Sequence, residues 1–175
     1  MRVVTFDSES NGFVDKADKI WCIATVEKDG GTYDSKLYGP DELEWGLDHL
    51  SSADVIVGHY MLQHDLPLFD KIKGWKPKPN QIIIDTLIFS RMLNPKRPIP
   101  EGYTGKASHS IEAWGYRLGM VKPDHTEWDK WSNAMGYRCV EDARINYKVL
   151  EALENEAGVV SNYYQRFNNS GSLVA

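Results

Sequence analysis

Runs of apolar residues along the chain predict five β-strands. The first three runs follow one another closely, and Asp29-Gly30-Gly31 between the second and third is a strong hairpin signal. The last two runs are short and apolar up to their final residue, and they predict buried strands. The predicted strands are residues 3–7, 20–26, 32–38, 55–58 and 82–85.

Apolar positions three and four residues apart predict helices between and after these strands. Leu43, Leu47 and Leu50 form one such stripe, and Pro40 stands just before it. Three strands in succession, followed by alternating strands and helices, predict an α/β fold: a mixed sheet with helices on both faces. The predicted helices are residues 41–50, 65–72, 86–93, 108–115 and 137–156.

Two segments show neither the alternation that is typical of strands nor the three- and four-residue spacing that is typical of helices. Residues 94–107 form a predicted long loop, and long loops in compact domains are commonly functional. Residues from about 165, including the polar run 168–172, are a predicted tail. We expect residues 1–175 to form a single domain, because the length suits one core and no internal repeat is present.

The amino-acid composition is that of an ordinary globular protein. Of its 175 residues, 42% are hydrophobic and 26% are charged, as in water-soluble globular proteins. No apolar stretch approaches a membrane span, and Asp7 and Glu9 interrupt any signal-peptide pattern, so we expect a cytoplasmic location without a membrane partner. Cys22 and Cys139 show no disulfide or metal spacing and are predicted to be reduced core residues.

The net charge of −5 hides an uneven distribution. Residues 1–70 hold 5 basic against 14 acidic side chains, whereas residues 71–122 hold 10 basic against 3 acidic ones. Residues 123–175 are acidic again, with 5 basic and 8 acidic side chains. A basic middle between acidic ends is consistent with phosphate-binding groups beside an acidic metal site, although a solvated surface without a partner gives the same pattern.

Asp7 and Glu9 end the first strand and carry the most chemical information. The period of two puts both carboxylates on one face of that strand. Two like charges beside a core are costly unless a cation offsets them, and Mg²⁺ binds through a few carboxylates together with substrate phosphate. The pattern therefore predicts a metal-binding sheet edge.

Further acidic residues and two longer segments resemble a known family. Asp65 opens a helix after a buried strand, and Asp142 lies in the longest predicted helix. Together with Asp7 and Glu9 they resemble the motifs of the four-carboxylate (DEDD) 3′–5′ exonucleases, whose fold is ribonuclease H-like. Residues 84–91 (IDTLIFSR) and 109–119 (HSIEAWGYRLG) resemble, more narrowly, the proofreading exonuclease domain of phage family A DNA polymerases.

This resemblance implies a metal-dependent 3′–5′ exonuclease acting on single-stranded DNA 3′ ends in proofreading or phage replication. Asp7 would bridge two Mg²⁺ or Mn²⁺ ions, with Glu9 and Asp142 completing the site and Asp65 acting from the outer shell. One ion would activate water while the other stabilises the departing 3′ oxygen. A DNA polymerase is then a possible partner, and the host cytoplasm the location. The alternatives are an RNA-trimming exonuclease of the same fold and a catalytically weakened nucleic-acid-binding module.

Two departures from the family pattern bear on activity. The family has Asn and an aromatic residue in its second motif, whereas this chain has residues 59–65 as HYMLQHD. In its third motif the tyrosine branch has Tyr four residues before Asp, to orient the attacking water, and the histidine branch has its residue five before. Here Arg138 stands four before Asp142 and Tyr137 five before it. We expect Tyr137 to orient the water if the helix begins after it.

Other candidates come from the residues themselves. Lys96, Arg97 and Lys106 in the long loop are predicted to contact the substrate backbone, and Tyr103 to stack on a base. Asp85 is predicted to cap the helix at Thr86. The histidines match no zinc spacing, so zinc is not expected. The tryptophans Trp114, Trp128 and Trp131 are expected in the core rather than against a base.

Overall fold

The computed structural model describes residues 1–29, 31–120 and 126–158 and contains every predicted strand and helix. The predicted tail lies outside the described residues. The strands are β1 (Val3–Ser10), β2 (Ile20–Asp29), β3 (Thr32–Tyr38), β4 (Val55–Gly58) and β5 (Ile82–Asp85). The helices are α1 (Leu43–Ser51), α2 (Asp65–Lys73), α3 (Thr86–Leu93), α4 (Ile111–Leu118) and α5 (Asn133–Glu156).

The five strands form one mixed sheet in the order β3-β2-β1-β4-β5. The pairs β1–β2 and β2–β3 are antiparallel, and Asp29 pairs with Thr32 as the predicted hairpin requires. The pairs β1–β4 and β4–β5 are parallel. The strand β1 therefore lies at the centre of the sheet, where both of its edges are hydrogen-bonded.

Helices cover both faces of this sheet, and the alternation along β1 separates the two cores. Val4 and Phe6 point into the core beneath α1 and α2. Val3 points to the other face, where α3, α4 and α5 pack. Since the period of two continues, Asp7 and Glu9 share the face of Val3 with α5, whereas Ser8 points toward α2. The predicted α/β architecture is confirmed.

Several element boundaries differ from the sequence prediction, and three of these differences have clear local reasons. The strand β1 continues past Asp7 to Ser10 because β2 supplies hydrogen-bonding partners up to an irregularity between Glu9 and Ser10. The helix α4 begins at Ile111, since the hydroxyl of Ser110 accepts a bond from a backbone N–H of the first turn. In the same way Ser132 caps α5, which begins at Asn133 rather than at the predicted residue 137.

Two further predictions concern the cysteines and membrane-spanning helices. Cys22 and Cys139 are free and buried between β2 and α5, as predicted. Over the described ranges, no helix combines the length and the apolar composition that crossing a membrane requires.

Candidate active site

Asp7, Glu9 and Asp142 meet where the end of β1 passes the third turn of α5. One carboxylate oxygen from each residue lies within 4.8 Å of the others. Glu9 and Asp142 are buried and Asp7 is half-buried. The tertiary contact between β1 and α5 thus brings together acids that are more than 130 positions apart in the sequence.

This donor set fits a hard divalent cation. Three carboxylates at such short separations repel one another, and hard cations take oxygen ligands of this kind. Acidic residues alone are common on protein surfaces. The fit to a divalent cation rests instead on the oxygen chemistry and the close spacing of these three carboxylates. Asp7, Glu9 and Asp142 are therefore the residues that would hold a metal.

A positive side chain reaches the same carboxylates. The Nε atom of Arg138 lies 3.4 Å from Oε1 of Glu9 and 3.8 Å from Oδ2 of Asp142. Its guanidinium also lies 5.2 Å from the ring centroid of Trp128, a cation–π distance. The sequence drew attention to Arg138 only as a departure from the tyrosine pattern, and its contact with Glu9 follows from the packing of α5 on β1.

Asp65 lies beside this cluster rather than within it. It is buried at the start of α2, and its Oδ1 accepts a hydrogen bond from the hydroxyl of Ser8. Burial raises the pKa of the Asp65 carboxyl, and the bond from Ser8 opposes that shift. In the described part of the chain, the acidic group with metal-ligand spacing does not include Asp65. Sequence reasoning missed Ser8, although its place between Asp7 and Glu9 directs it to the face of α2.

Asp85 connects the first turn of α3 to the segment that precedes Asp65. Its Oδ1 accepts bonds from the N–H groups of Leu87 and Ile88, so the predicted capping role is confirmed. The same carboxylate accepts the N–H groups of Tyr60 at 3.1 Å and Leu62 at 3.2 Å. One buried carboxylate therefore holds the turn at residues 60–62 against the end of β5, which fixes where α2 begins.

The turn held by Asp85 has an unusual backbone. Tyr60 has a φ of 64°, in the left-handed region that residues other than glycine and asparagine rarely adopt. The family resemblance has Asn in this segment, a residue that adopts this conformation more easily, whereas residues 59–65 of this chain contain none. The hydrogen bonds from Tyr60 and Leu62 to Asp85 hold this backbone conformation in place.

A cavity of about 340 Å³ opens beside the acidic cluster. It is lined by Glu9, Phe13, His64 and Trp128, together with residues 10–12. Phe13 is 75% exposed and its ring meets that of His64 edge to face, with centroids 6.1 Å apart. The prediction that Trp128 belongs to the core is wrong, because its half-buried ring lines this cavity, whereas Trp114 is buried as predicted. Phe13 went unnoticed, although it is an aromatic residue in a polar, glycine-containing segment four positions after Glu9.

Tyr137 does not meet the condition under which we expected it to orient water as in the tyrosine branch. The helix α5 begins four residues before it, so Tyr137 is a helical residue, and its side chain is 58% exposed. Its direction differs by about 100° from that of Arg138, which occupies the position four before Asp142. Tyr137 keeps the five-residue offset that the histidine branch uses.

The long loop is anchored near the far end of α5. The guanidinium of Arg97 donates two hydrogen bonds to the Glu156 carboxylate and lies 4.7 Å from the Trp114 ring centroid. Its side chain is only 9% exposed, and Glu156 lies about 21 Å along the helix axis from Asp142. The structure therefore contradicts the predicted phosphate contact of Arg97, whose charge and planar face are engaged by α4 and α5.

The other predicted loop contacts differ in exposure. Lys96 and Lys106 are exposed. Tyr103 is half-buried, its ring lies 5.4 Å from that of Tyr116, and its hydroxyl is within hydrogen-bonding distance of Ser110. The face of Tyr103 that packs on Tyr116 is not open to a base.

Comparison with known proteins agrees with the fold and with the motifs. No protein-family model matches the chain. Brucella melitensis NrnC with bound Mg²⁺ is similar over 95% of this chain and 80% of its own, with 19% identity and a TM-score of 0.60. E. coli exonuclease I in complex with a dT13 oligonucleotide is similar over 93% of this chain and 43% of its own, with 13% identity and a TM-score of 0.64. The chain thus has the ribonuclease H-like fold of these exonucleases, as predicted.

Sequence similarity points to a narrower group. The chain is 30% identical to the DNA-directed DNA polymerase of Enterobacteria phage T3 over 139 residues, and 27% identical to that of Escherichia phage T7 over 143 residues. These regions are 69% and 71% of this chain but 20% of each polymerase, so the matched region spans about one fifth of these relatives. The predicted resemblance to phage DNA polymerases is confirmed.

Proposed function

We propose that this chain is a divalent-metal-dependent 3′–5′ exonuclease that acts on single-stranded DNA ends. The observation that carries the proposal is the joint placement of three carboxylates and an aromatic-lined cavity, with Glu9 belonging to both. Similarity to phage DNA polymerases and to the fold of exonuclease I supports it. A DNA polymerase is the proposed partner, because the relatives found by sequence are polymerases.

In this proposal the cavity receives the terminal nucleotide. Phe13 and Trp128 offer ring faces on which a base can stack without sequence preference. Its volume lies within the usual range for small-ligand sites, about 300–1,000 Å³. A base held there would leave its phosphate beside Asp7, Glu9 and Asp142, which is the arrangement that removal of one terminal nucleotide requires.

The chain's own residues then have distinct tasks. Asp7, Glu9 and Asp142 hold Mg²⁺ or Mn²⁺, for which we propose two ions, and Asp65 supports the site from beside it. The ions supply activation of water and charge stabilisation at the leaving oxygen. Although Tyr137 lies inside α5, it keeps the five-residue offset of the histidine branch, and we propose that its hydroxyl orients the attacking water from there. Among loop residues, Lys96 and Lys106 remain proposed contacts for phosphates further along the strand, with Tyr103 beside them.

A gel assay with end-labelled oligonucleotides tests this function. Single-stranded DNA labelled at its 5′ end is expected to shorten stepwise from the 3′ end with Mg²⁺ or Mn²⁺ and to remain intact in EDTA. Matched RNA in parallel reports sugar preference, and equal or faster loss of RNA would identify an RNA-trimming enzyme. A band that is shifted but intact under every metal condition would contradict the nuclease proposal and identify a binding module.

Tyr137→Phe is expected to lower turnover by about tenfold or more with little change in substrate affinity. The hydroxyl would act on the attacking water, so its loss weakens an interaction that matters mainly in the transition state. Single-turnover rates and binding of DNA in Ca²⁺ separate the two quantities. Tyr116→Phe, another exposed tyrosine on a helix, is the matched control. Wild-type turnover in Tyr137→Phe would make the tyrosine structural.

Substitutions in the long loop are expected to have two different effects. Lys96→Gln with Lys106→Gln is expected to flatten the salt dependence of single-stranded DNA binding, by about 0.7 in the log–log slope for each phosphate that the chain no longer neutralises. Arg97→Gln is expected to leave the slope unchanged and to lower the free energy of unfolding by about 1–2 kcal/mol, because its interactions with Glu156 and Trp114 are removed. Salt titrations measure the slope, and urea unfolding measures the free energy of unfolding. A flatter slope in Arg97→Gln would show that Arg97 contacts the DNA after all.

A further inference from the structure

Arg138 places a permanent positive charge among the residues proposed to hold the metal. Its Nε atom lies between a carboxylate oxygen of Glu9, at 3.4 Å, and one of Asp142, at 3.8 Å. The guanidinium group of arginine is a permanent cation with five N–H donors. Without a divalent ion, the guanidinium therefore offsets part of the repulsion among the three acids.

The position of Arg138 is fixed by elements on three sides. It lies one helical turn before Asp142 on α5, which brings the two side chains together on the helix surface. Glu9 reaches it from β1, and Trp128 lies against the guanidinium plane. With a side chain only 17% exposed, the ion pair is shielded from water and is worth more than a surface pair.

We propose that Arg138 is an internal counter-cation that competes with the divalent ion for Glu9 and Asp142. This inference rests on the proposed metal-dependent function. A divalent ion that binds these carboxylates meets a guanidinium within 4 Å of them, and two cations at such separations repel each other. Arg138 must therefore give up both carboxylates when the metal enters, and this exchange weakens metal binding while it stabilises the metal-free chain.

The same helix offers a contrasting arginine. Arg144 lies six residues after Arg138 and pairs with Glu141 at 2.6 Å, and it also donates to Ser35. Its side chain is 46% exposed, and Glu141 is not part of the acidic cluster. Removing Arg144 therefore costs an ion pair on α5 and leaves the contacts of Arg138 with Glu9 and Asp142 in place.

The test compares Mn²⁺ binding and stability in wild type, Arg138→Gln, Arg138→Lys and Arg144→Gln. Isothermal titration of the metal-free proteins with Mn²⁺ alone gives the affinity, and thermal unfolding in EDTA and in saturating Mn²⁺ gives the stability. Arg138→Gln is expected to bind Mn²⁺ about tenfold more tightly or better, since no charged pair has to be broken first. Its melting temperature is expected to fall in EDTA and to recover in Mn²⁺.

The control variants keep each outcome decisive. Arg138→Lys retains a charge in case the glutamine variant does not fold, and it is expected to bind Mn²⁺ about threefold more tightly than wild type, because an ammonium lacks the forked geometry. Arg144→Gln is expected to keep wild-type affinity and to shift the melting temperature equally in both conditions. Unchanged or weaker Mn²⁺ binding in both Arg138 variants overturns the inference and leaves the nuclease proposal standing. Failure of the wild-type chain to bind Mn²⁺ overturns the proposed function itself.

Discussion

Asp7→Ala is expected to abolish hydrolysis of single-stranded DNA, with a loss in turnover of at least about a thousandfold. The residue lies at the end of the central strand, and its carboxylate is one of three that converge there. Loss of a metal-holding carboxylate removes several kcal/mol of transition-state stabilisation, and about 4 kcal/mol corresponds to three orders of magnitude. Single-turnover assays in Mg²⁺ and in Mn²⁺ measure the effect.

The fold of the Asp7→Ala variant is expected to survive and to be equally or slightly more stable in EDTA. One like charge leaves the cluster, while Arg138 keeps its contacts with Glu9 and Asp142. Asp48→Ala, on the exposed side of α1 across the sheet, is the matched control and should retain full activity. Degradation at the wild-type rate by Asp7→Ala would falsify the assignment of the site to this cluster.

Asp85→Ala is expected to lower the free energy of unfolding by about 3–4 kcal/mol. The carboxylate is buried and accepts backbone N–H groups from both α3 and the turn before α2. A helix cap alone is worth about 1 kcal/mol, and each further bond to a charged acceptor adds about 1.5 kcal/mol or more when its donor stays buried. Urea unfolding in the absence of metal measures the change without any contribution from the active site.

A second cap on the same protein separates the two parts of this effect. Ser110→Ala removes the cap of α4, which accepts a single backbone N–H, and it should cost only about 1 kcal/mol. A larger loss in Asp85→Ala is expected, because Asp85 accepts two N–H groups of α3 and two from the turn at residues 60–62, whereas Ser110 accepts one. Equal losses in both variants would show that Asp85 acts as a cap alone.

The strands and helices were largely predictable because their signals are local. The alternation along β1 placed Asp7 and Glu9 on one face, and the apolar run of β4 correctly predicted a buried strand. The same prediction for β5 is wrong, because β5 lies at the edge of the sheet and its Ile82 and Ile83 are 41% and 37% exposed. The errors at the starts of α4 and α5 came from serine caps. Ser110 and Ser132 decide these starts through single hydrogen bonds that apolar spacing does not reveal.

The acids of the site were also identified from sequence, but their relations were not. The period of two predicted that Asp7 and Glu9 share a face, and the family motifs selected Asp142. The resemblance implied that Asp65 acts from the outer shell, but it did not show that Ser8 would hold Asp65 on the other face of β1 from Asp7 and Glu9. That difference depends on α2 and α5 packing on opposite faces of the sheet, which is a tertiary property.

The sequence by itself determined the α/β class, the first strand with the two acids at its end and the resemblance to phage DNA polymerases. These follow from periodicity and from motifs that are short and contiguous. Only the tertiary structure decided which charges meet: Arg138 with Glu9 and Asp142, and Arg97 with Glu156 at the far end of α5. A charged side chain has the same sequence signal whether it faces a phosphate, a carboxylate or water. Its partner is set by the packing of elements that are distant in the chain, and that packing assigns Arg138 to the site and Arg97 to the scaffold.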